Sequence, residues 1–149
     1  MKILVDADGC PVVDITVRIA KQHGIECLLL CDTAHVFAKE GARTLTVSKG
    51  ADSVDFALVN LLQAGDVVVT QDYGLAAMCL ARKAQALHQS GMEYTADNID
   101  CLLLARHTAK KIRNAGGRVK GMAKRTSEQD ADFEMALRRI VSELAPLKK

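Results

Sequence analysis

Apolar and polar positions change period repeatedly along this chain, from short runs that suit strands to three-and-four spacings that suit helices. Lys2–Val5 is a short strand-like apolar run. From about Pro11 to His23, Val13, Val17, Ile19 and Ala20 fall on one broad helical face. Pro11 suits a first turn, where its missing N–H costs nothing, Asp14 suits the positive end of the helix dipole, and Gly24 is a natural stop. Ile25–Cys31 is almost continuously apolar, as expected of a strand covered on both faces in a parallel sheet. After an irregular stretch from Asp32 to Arg43, Thr44–Val47 predicts the next strand.

The clearest helix lies between Gly50 and Gly65, with Val54, Ala57, Leu58, Leu61 and Leu62 in helical register. Val67–Val69 predicts a buried strand, Tyr73 to about Arg82 a helix opened by Asp72, and Ala84–Leu87 a fifth strand. Thr95 or Asn98 can cap a helix to about Asn114, broken by Gly116 and Gly117. After the basic stretch Arg118–Arg125, Thr126 or Ser127 opens a last helix, about Glu128–Leu144, striped with Phe133, Leu137, Ile140, Val141 and Leu144. This alternation predicts an α/β sandwich with a mostly parallel sheet of about five strands and the last helix packed on the core.

At 149 residues, 49% of them hydrophobic, the chain suits one domain, residues 1–149. No apolar run is long enough to cross a bilayer, and Met1-Lys2 leads into charge without a signal-peptide core, so the expected location is the cytoplasm. Five cysteines, none in a Cys-x-x-Cys pair, are expected to be reduced, with Cys27 and Cys31 as core residues on one strand face. Charge changes the picture more. Eight of the 20 basic residues and none of the 18 acidic ones lie between Cys101 and Ser127, so a segment of +8 joins a remainder of −6. A basic strip beside a carboxylate cluster suits an enzyme acting on a polyanion; an exposed helix followed by a soluble loop accounts for it equally well.

The carboxylates themselves follow strands. Asp6 and Asp8 follow the first strand, Asp52 and Asp55 the third, and Asp72 the fourth. Ends of parallel strands share one edge, so these groups can meet and form a site of hard oxygen ligands for Mg²⁺ or Mn²⁺. All but Asp6 have a structural alternative: Asp8 can cap the first helix, Asp52 and Asp55 resemble a capping box, and Asp72 sits where an N-cap belongs. Asp6 gains nothing from capping, and acids at three strand ends repel one another unless a cation or a raised pKa relieves them. Other chemistries find less support. Four scattered histidines argue against zinc, and neither a Gly-x-Ser-x-Gly elbow nor a Gly-rich phosphate loop is present. No Trp and few aromatic residues leave little for stacking several bases, so nucleic-acid binding would rest on phosphates.

Val5-Asp-Ala-Asp-Gly-Cys-Pro-Val12, Gly50-Ala-Asp-Ser-Val-Asp55, Gly65-Asp-Val-Val-Val-Thr-Gln-Asp72 with Leu75-Ala76, and Tyr94-Thr95 with Asn98-Ile99 together resemble the YaiI/YqxD family of small bacterial proteins across nearly the whole chain. That family is grouped with PIN-like proteins, whose fold is similar to that of metal-dependent ribonucleases. Thr70-Gln-Asp72 is similar to the Thr-x-Asp signature of PIN domains, and Lys49-Gly-Ala-Asp52 to a segment of the related NYN nucleases. The resemblance implies a three-layer PIN-like sandwich in which Asp6, Asp52 and Asp72 are the acidic metal ligands, with Asp8 and Asp55 as further catalytic candidates. The resulting expectation is a ribonuclease-like protein using Mg²⁺ or Mn²⁺ on RNA. Asp8 or Asp55 would orient water, and Lys49, Arg106, Lys110, Arg113, Arg118, Lys120, Lys124 and Arg125 would face the RNA. A non-catalytic nucleic-acid-binding protein and a phosphatase acting on a small substrate stand as alternatives, and a homodimer is left open.

Overall fold

The computed structural model describes residues 1–32, 39–48, 53–117 and 125–144. Along the chain it forms β1 (Lys2–Asp6), α1 (Val13–His23), β2 (Glu26–Asp32), β3 (Arg43–Val47), α2 (Ser53–Leu61) and β4 (Val67–Val69). There follow α3 (Tyr73–Ala81), β5 (Gln85–Leu87), β6 (Glu93–Tyr94), α4 (Ile99–Asn114) and α5 (Ser127–Leu144). One sheet runs in the order β3-β2-β1-β4-β5-β6. Its first five strands are parallel, and β6 pairs antiparallel to β5. The five parallel strands fall where the apolar runs place them; the two residues of β6 are too few for any periodic signal.

Strand alternation divides the core into two faces. Ile3, Val5, Cys27, Leu29, Cys31, Val67 and Val69 point to one side, where α1 and α5 cover them with Val13, Val17, Ile19, Phe133, Leu137, Ile140 and Val141. Leu4, Leu28, Leu30 and Val68 point to the other, against Leu58 and Leu62, Leu75 and Cys79, and Ile99. The result is three layers, helix on sheet on helix. Cys27 and Cys31 are core residues on one face, and burial pushes the Cys27 thiol up to about 12. Among the described residues no helix is long and apolar enough to cross a membrane.

Helix ends follow local chemistry. Gly24, at φ +65°, closes α1 in the left-handed conformation that glycine adopts without strain. The first turn of α1 begins at Val13 rather than Pro11, and Val12 at its N-cap makes no side-chain cap bond. Ahead of α5, Thr126 and Gln129 bond each other's backbone N–H groups reciprocally, a capping box. Gly91, in the β5–β6 turn, lies so close to α5 that a Cβ there would sit 2.7 Å from the Asp132 carbonyl oxygen. Of the sixteen residues of α4 only Ile99 is buried, so this helix lies on the surface with its basic residues outward.

At the amino-end edge of the sheet, Asp66 is 2% exposed and joins β1 to the turn before β4. Its carboxylate accepts from the Lys2 N–H at 3.1 Å, the Lys2 Nζ at 2.6 Å and the Gln63 N–H at 2.8 Å. Replacing it strands a nearly buried ammonium and two amides, so Asp66→Ala is expected to lower unfolding stability by about 3 kcal/mol, read from the urea midpoint at unchanged m.

Candidate functional site

The chain order places the site. After β1 the chain builds outward through β2 and β3, then returns so that β4 lies on the other side of β1. At such a reversal the loops leaving the two central strands diverge and open a crevice at their carboxyl ends. Asp6 ends β1, and Thr70 follows β4 one residue beyond the Val5–Val69 pair.

Thr70 ties the two strand ends together. Its buried hydroxyl donates to Asp6 Oδ2 at 2.9 Å and accepts from the Asp72 N–H at 3.0 Å. Its own backbone is held on both sides: its N–H donates to the Leu87 carbonyl at 3.1 Å, and the Tyr94 hydroxyl donates to its carbonyl at 3.0 Å. Tyr94 in turn packs edge-on against Tyr73 and His88. Asp72 is the N-cap of α3, with Oδ1 accepting from the Gly74 N–H at 2.8 Å and the Leu75 N–H at 3.2 Å. Arg106, arriving from α4, donates to the same Oδ1 at 3.2 Å. Capping and a role in the site therefore coincide in Asp72.

Asp6, Gln71, Asp72, Tyr73 and Arg106 line a cleft of about 370 Å³. Burial is the main cause that raises the Asp6 pKa above 3.8; the Thr70 hydrogen bond opposes it, and the charges of Asp72 and Asp8 add to it. Asp8 does not cap α1. It accepts from the Asp32 N–H at 3.0 Å, so it joins the ends of β1 and β2 while adding negative potential at Asp6. Asp55, in the first turn of α2, shares a second cleft of about 360 Å³ with Asp72 and Arg106.

Of the expected ligands, then, the structure brings Asp6 and Asp72 together, sets Asp8 nearby and places Asp55 across a neighbouring cleft; Asp52 lies outside the described residues. Among the described residues no three acidic, histidine or cysteine side chains come close enough to hold a metal ion together. The donor chemistry still fits a hard divalent cation. Two carboxylates line one cleft, and one of them carries a charge that burial disfavours.

The basic strip divides. Arg106 belongs to the acidic site itself, Lys110 and Arg113 are exposed further along α4, and Lys49, Arg118, Lys120 and Lys124 lie outside the described residues. Arg125 is anchored: its guanidinium donates to Asp130 at 2.8 Å and to the Gln89 carbonyl at 2.8 Å, pinning the start of α5 to the β5–β6 turn. Thr70 and Tyr94 as positioning residues, and Gln71 and Tyr73 as cleft walls, did not stand out from residue spacing. The one available signal was a hydroxyl closing the Val67–Thr70 run at a strand end.

A family model described as "Uncharacterized BCR, YaiI/YqxD family" matches residues 4–143. The chain belongs to the YaiI/YqxD family. A UPF0178 protein of Exiguobacterium sibiricum is 56% identical over 143 residues, 96% of this chain and 98% of the relative. Another, of Clostridium acetobutylicum, is 54% identical over 95% of this chain and 97% of its own. The solved structure of Rae1 (YacP) from Bacillus subtilis aligns over 97% of this chain and 100% of that one, at TM-score 0.45 and 14% identity.

The Asp6 environment of this YaiI/YqxD family member has a measurable thermodynamic consequence. A carboxyl whose folded pKa lies above its unfolded value favours folding only while protonated. That contribution is fully present below the unfolded value and is lost as pH rises through the folded one. Asp6→Asn, which keeps an acceptor for Thr70 and removes the charge, is therefore expected to be more stable than wild type at neutral pH in chelator. The gain should vanish as pH falls below 3.8. Urea unfolding across that range checks it.

Proposed function

We propose that this protein hydrolyses RNA phosphodiester bonds with the help of Mg²⁺ or Mn²⁺ at the cleft between β1 and β4. The observation that carries this reading is the single Thr70 hydroxyl holding both Asp6 and the Asp72 backbone, so that two carboxylates from distant strands line one cleft with Arg106 at its rim.

Asp6 and Asp72 supply hard oxygen donors, and Asp52 joins them on the family resemblance. Thr70 fixes the distance between the two strand ends, and Tyr94 fixes Thr70. A divalent ion bound there supplies Lewis acidity, making an attacking water more acidic and offsetting charge on the phosphate. Asp8 or Asp55 orients that water, and Arg106 presents further guanidinium donors to a phosphate in the cleft. Lys110 and Arg113, exposed on α4, extend the positive surface along which an RNA backbone would run.

Single-stranded RNA incubated with Mn²⁺ is the direct test. Asp6→Asn and Asp72→Asn should each reduce the cleavage rate by about 100-fold. The second keeps an Oδ1 acceptor for the α3 N-cap, so its loss would report chemistry rather than unfolding. Cleavage that survives both changes rules the reading out. For the positioning role, Thr70→Val should weaken Mn²⁺ binding about tenfold by calorimetry, because both carboxylate-bearing segments lose their common tether.

A further inference from the structure

Phe56 is 64% exposed on α2, although its helical neighbours Val54, Ala57 and Leu58 pack against the core. Solitary exposed apolar residues are ordinary on protein surfaces and need no role. Phe56 is not solitary. With Met78, itself 41% exposed on α3, it lines the second cleft of about 360 Å³, whose polar wall is Asp55, Asp72 and Arg106. Asp72 and Arg106 also line the cleft that holds Asp6, so the two hollows share a wall. Gly74 lines the second cleft beside these two residues, and a Cβ there would lie 3.3 Å from Asp72 Oδ1 and 3.9 Å from Arg106 Nη1.

We propose that the cleft formed by Phe56 and Met78 is a subsite for one unpaired nucleobase of the RNA, next to a phosphate received by Arg106 at the mouth of the Asp6–Asp72 cleft. The inference rests on the function proposed above and deepens it. The chemistry of the two halves is complementary to a nucleotide. An exposed aromatic ring and a polarisable thioether offer a flat apolar surface suited to a base, and the adjoining guanidinium suits a phosphate. Phe133 and Tyr94 are buried and Tyr73, half-buried, lines the Asp6 cleft, so among the described aromatic side chains Phe56 is the one presented to a ligand in the second cleft. A base in a duplex has both faces stacked, so this surface selects single-stranded or looped RNA.

The test reads binding without cleavage. A fluorescein-labelled single-stranded RNA and an otherwise identical oligomer with abasic sugars are titrated with the full-length protein in chelator, by anisotropy at several salt concentrations. Wild type should bind the base-bearing strand about tenfold more tightly than the abasic one. Phe56→Ala should abolish that difference while leaving affinity for the abasic strand and the salt slope unchanged, and Phe56→Tyr should retain it. Equal binding of both strands by wild type, or an unaltered difference in Phe56→Ala, overturns the subsite while leaving phosphate binding intact. Absence of any RNA binding in chelator overturns the subsite, whereas the functional reading on which it rests stands or falls separately on cleavage with Mn²⁺. Self-association that Phe56→Ala abolishes in sedimentation would assign the surface to a second copy of the chain and overturn the base subsite as well.

Discussion

One hydroxyl group sets the geometry of the β1–β4 crevice. Thr70 occupies the position where the parallel order reverses, and it spends its donor on Asp6 and an acceptor on the Asp72 amide. Backbone pairing alone fixes the register of β1 and β4 but leaves the segments beyond them to diverge. The Thr70 bonds carry that register past the last ladder rung, and the Tyr94 hydroxyl bound to the Thr70 carbonyl extends it to β6. The short antiparallel strand thus matters less for the sheet than for delivering Tyr94.

The same crevice is where the fold is least satisfied electrostatically. Asp66, at the opposite edge, is buried with three donors around it, including the Lys2 ammonium. Asp6 has one hydroxyl donor and two like charges nearby, and burial raises its pKa. Two carboxylates with similar sequence surroundings at the ends of one sheet are treated oppositely: one is neutralised for structure, and the other is left with unfavourable charge. Titratable groups perturbed by burial and like charge cluster in clefts, and Asp6 lines one.

Much of this was legible in the residues. Apolar runs such as Ile25–Cys31 and Val67–Val69 announced strands buried on both faces, and the stripe of Phe133, Leu137, Ile140 and Val141 announced the last helix, because burial writes its period directly into sequence. Acids at strand ends were legible for the same reason, since a polar residue after an apolar run marks where the core stops. Strand order was not, because the pairings of β1 with both β2 and β4 are tertiary choices with no local signature. Nor was the dual nature of Asp72. A cap and a cleft-lining carboxylate look identical until α3 and α4 are placed, and only then does Arg106 leave the basic strip and enter the acidic site.

The Arg106–Asp72 contact gains its significance from being weak. Its partners are 56% and 33% exposed, and an ion pair so open to solvent contributes at most about 1 kcal/mol. The pair therefore does little to hold α4 in place. What it does is keep a planar group with five donors beside a carboxylate oxygen that two backbone amides already occupy. A guanidinium engaged through one nitrogen retains others for a second anion, which a lysine ammonium, a compact point charge, cannot match in geometry. In the proposed reaction this is the useful arrangement. Asp72 stays oriented by its cap whether or not Arg106 is present, so the arginine is at liberty to turn toward a phosphate without disturbing the carboxylate beside it.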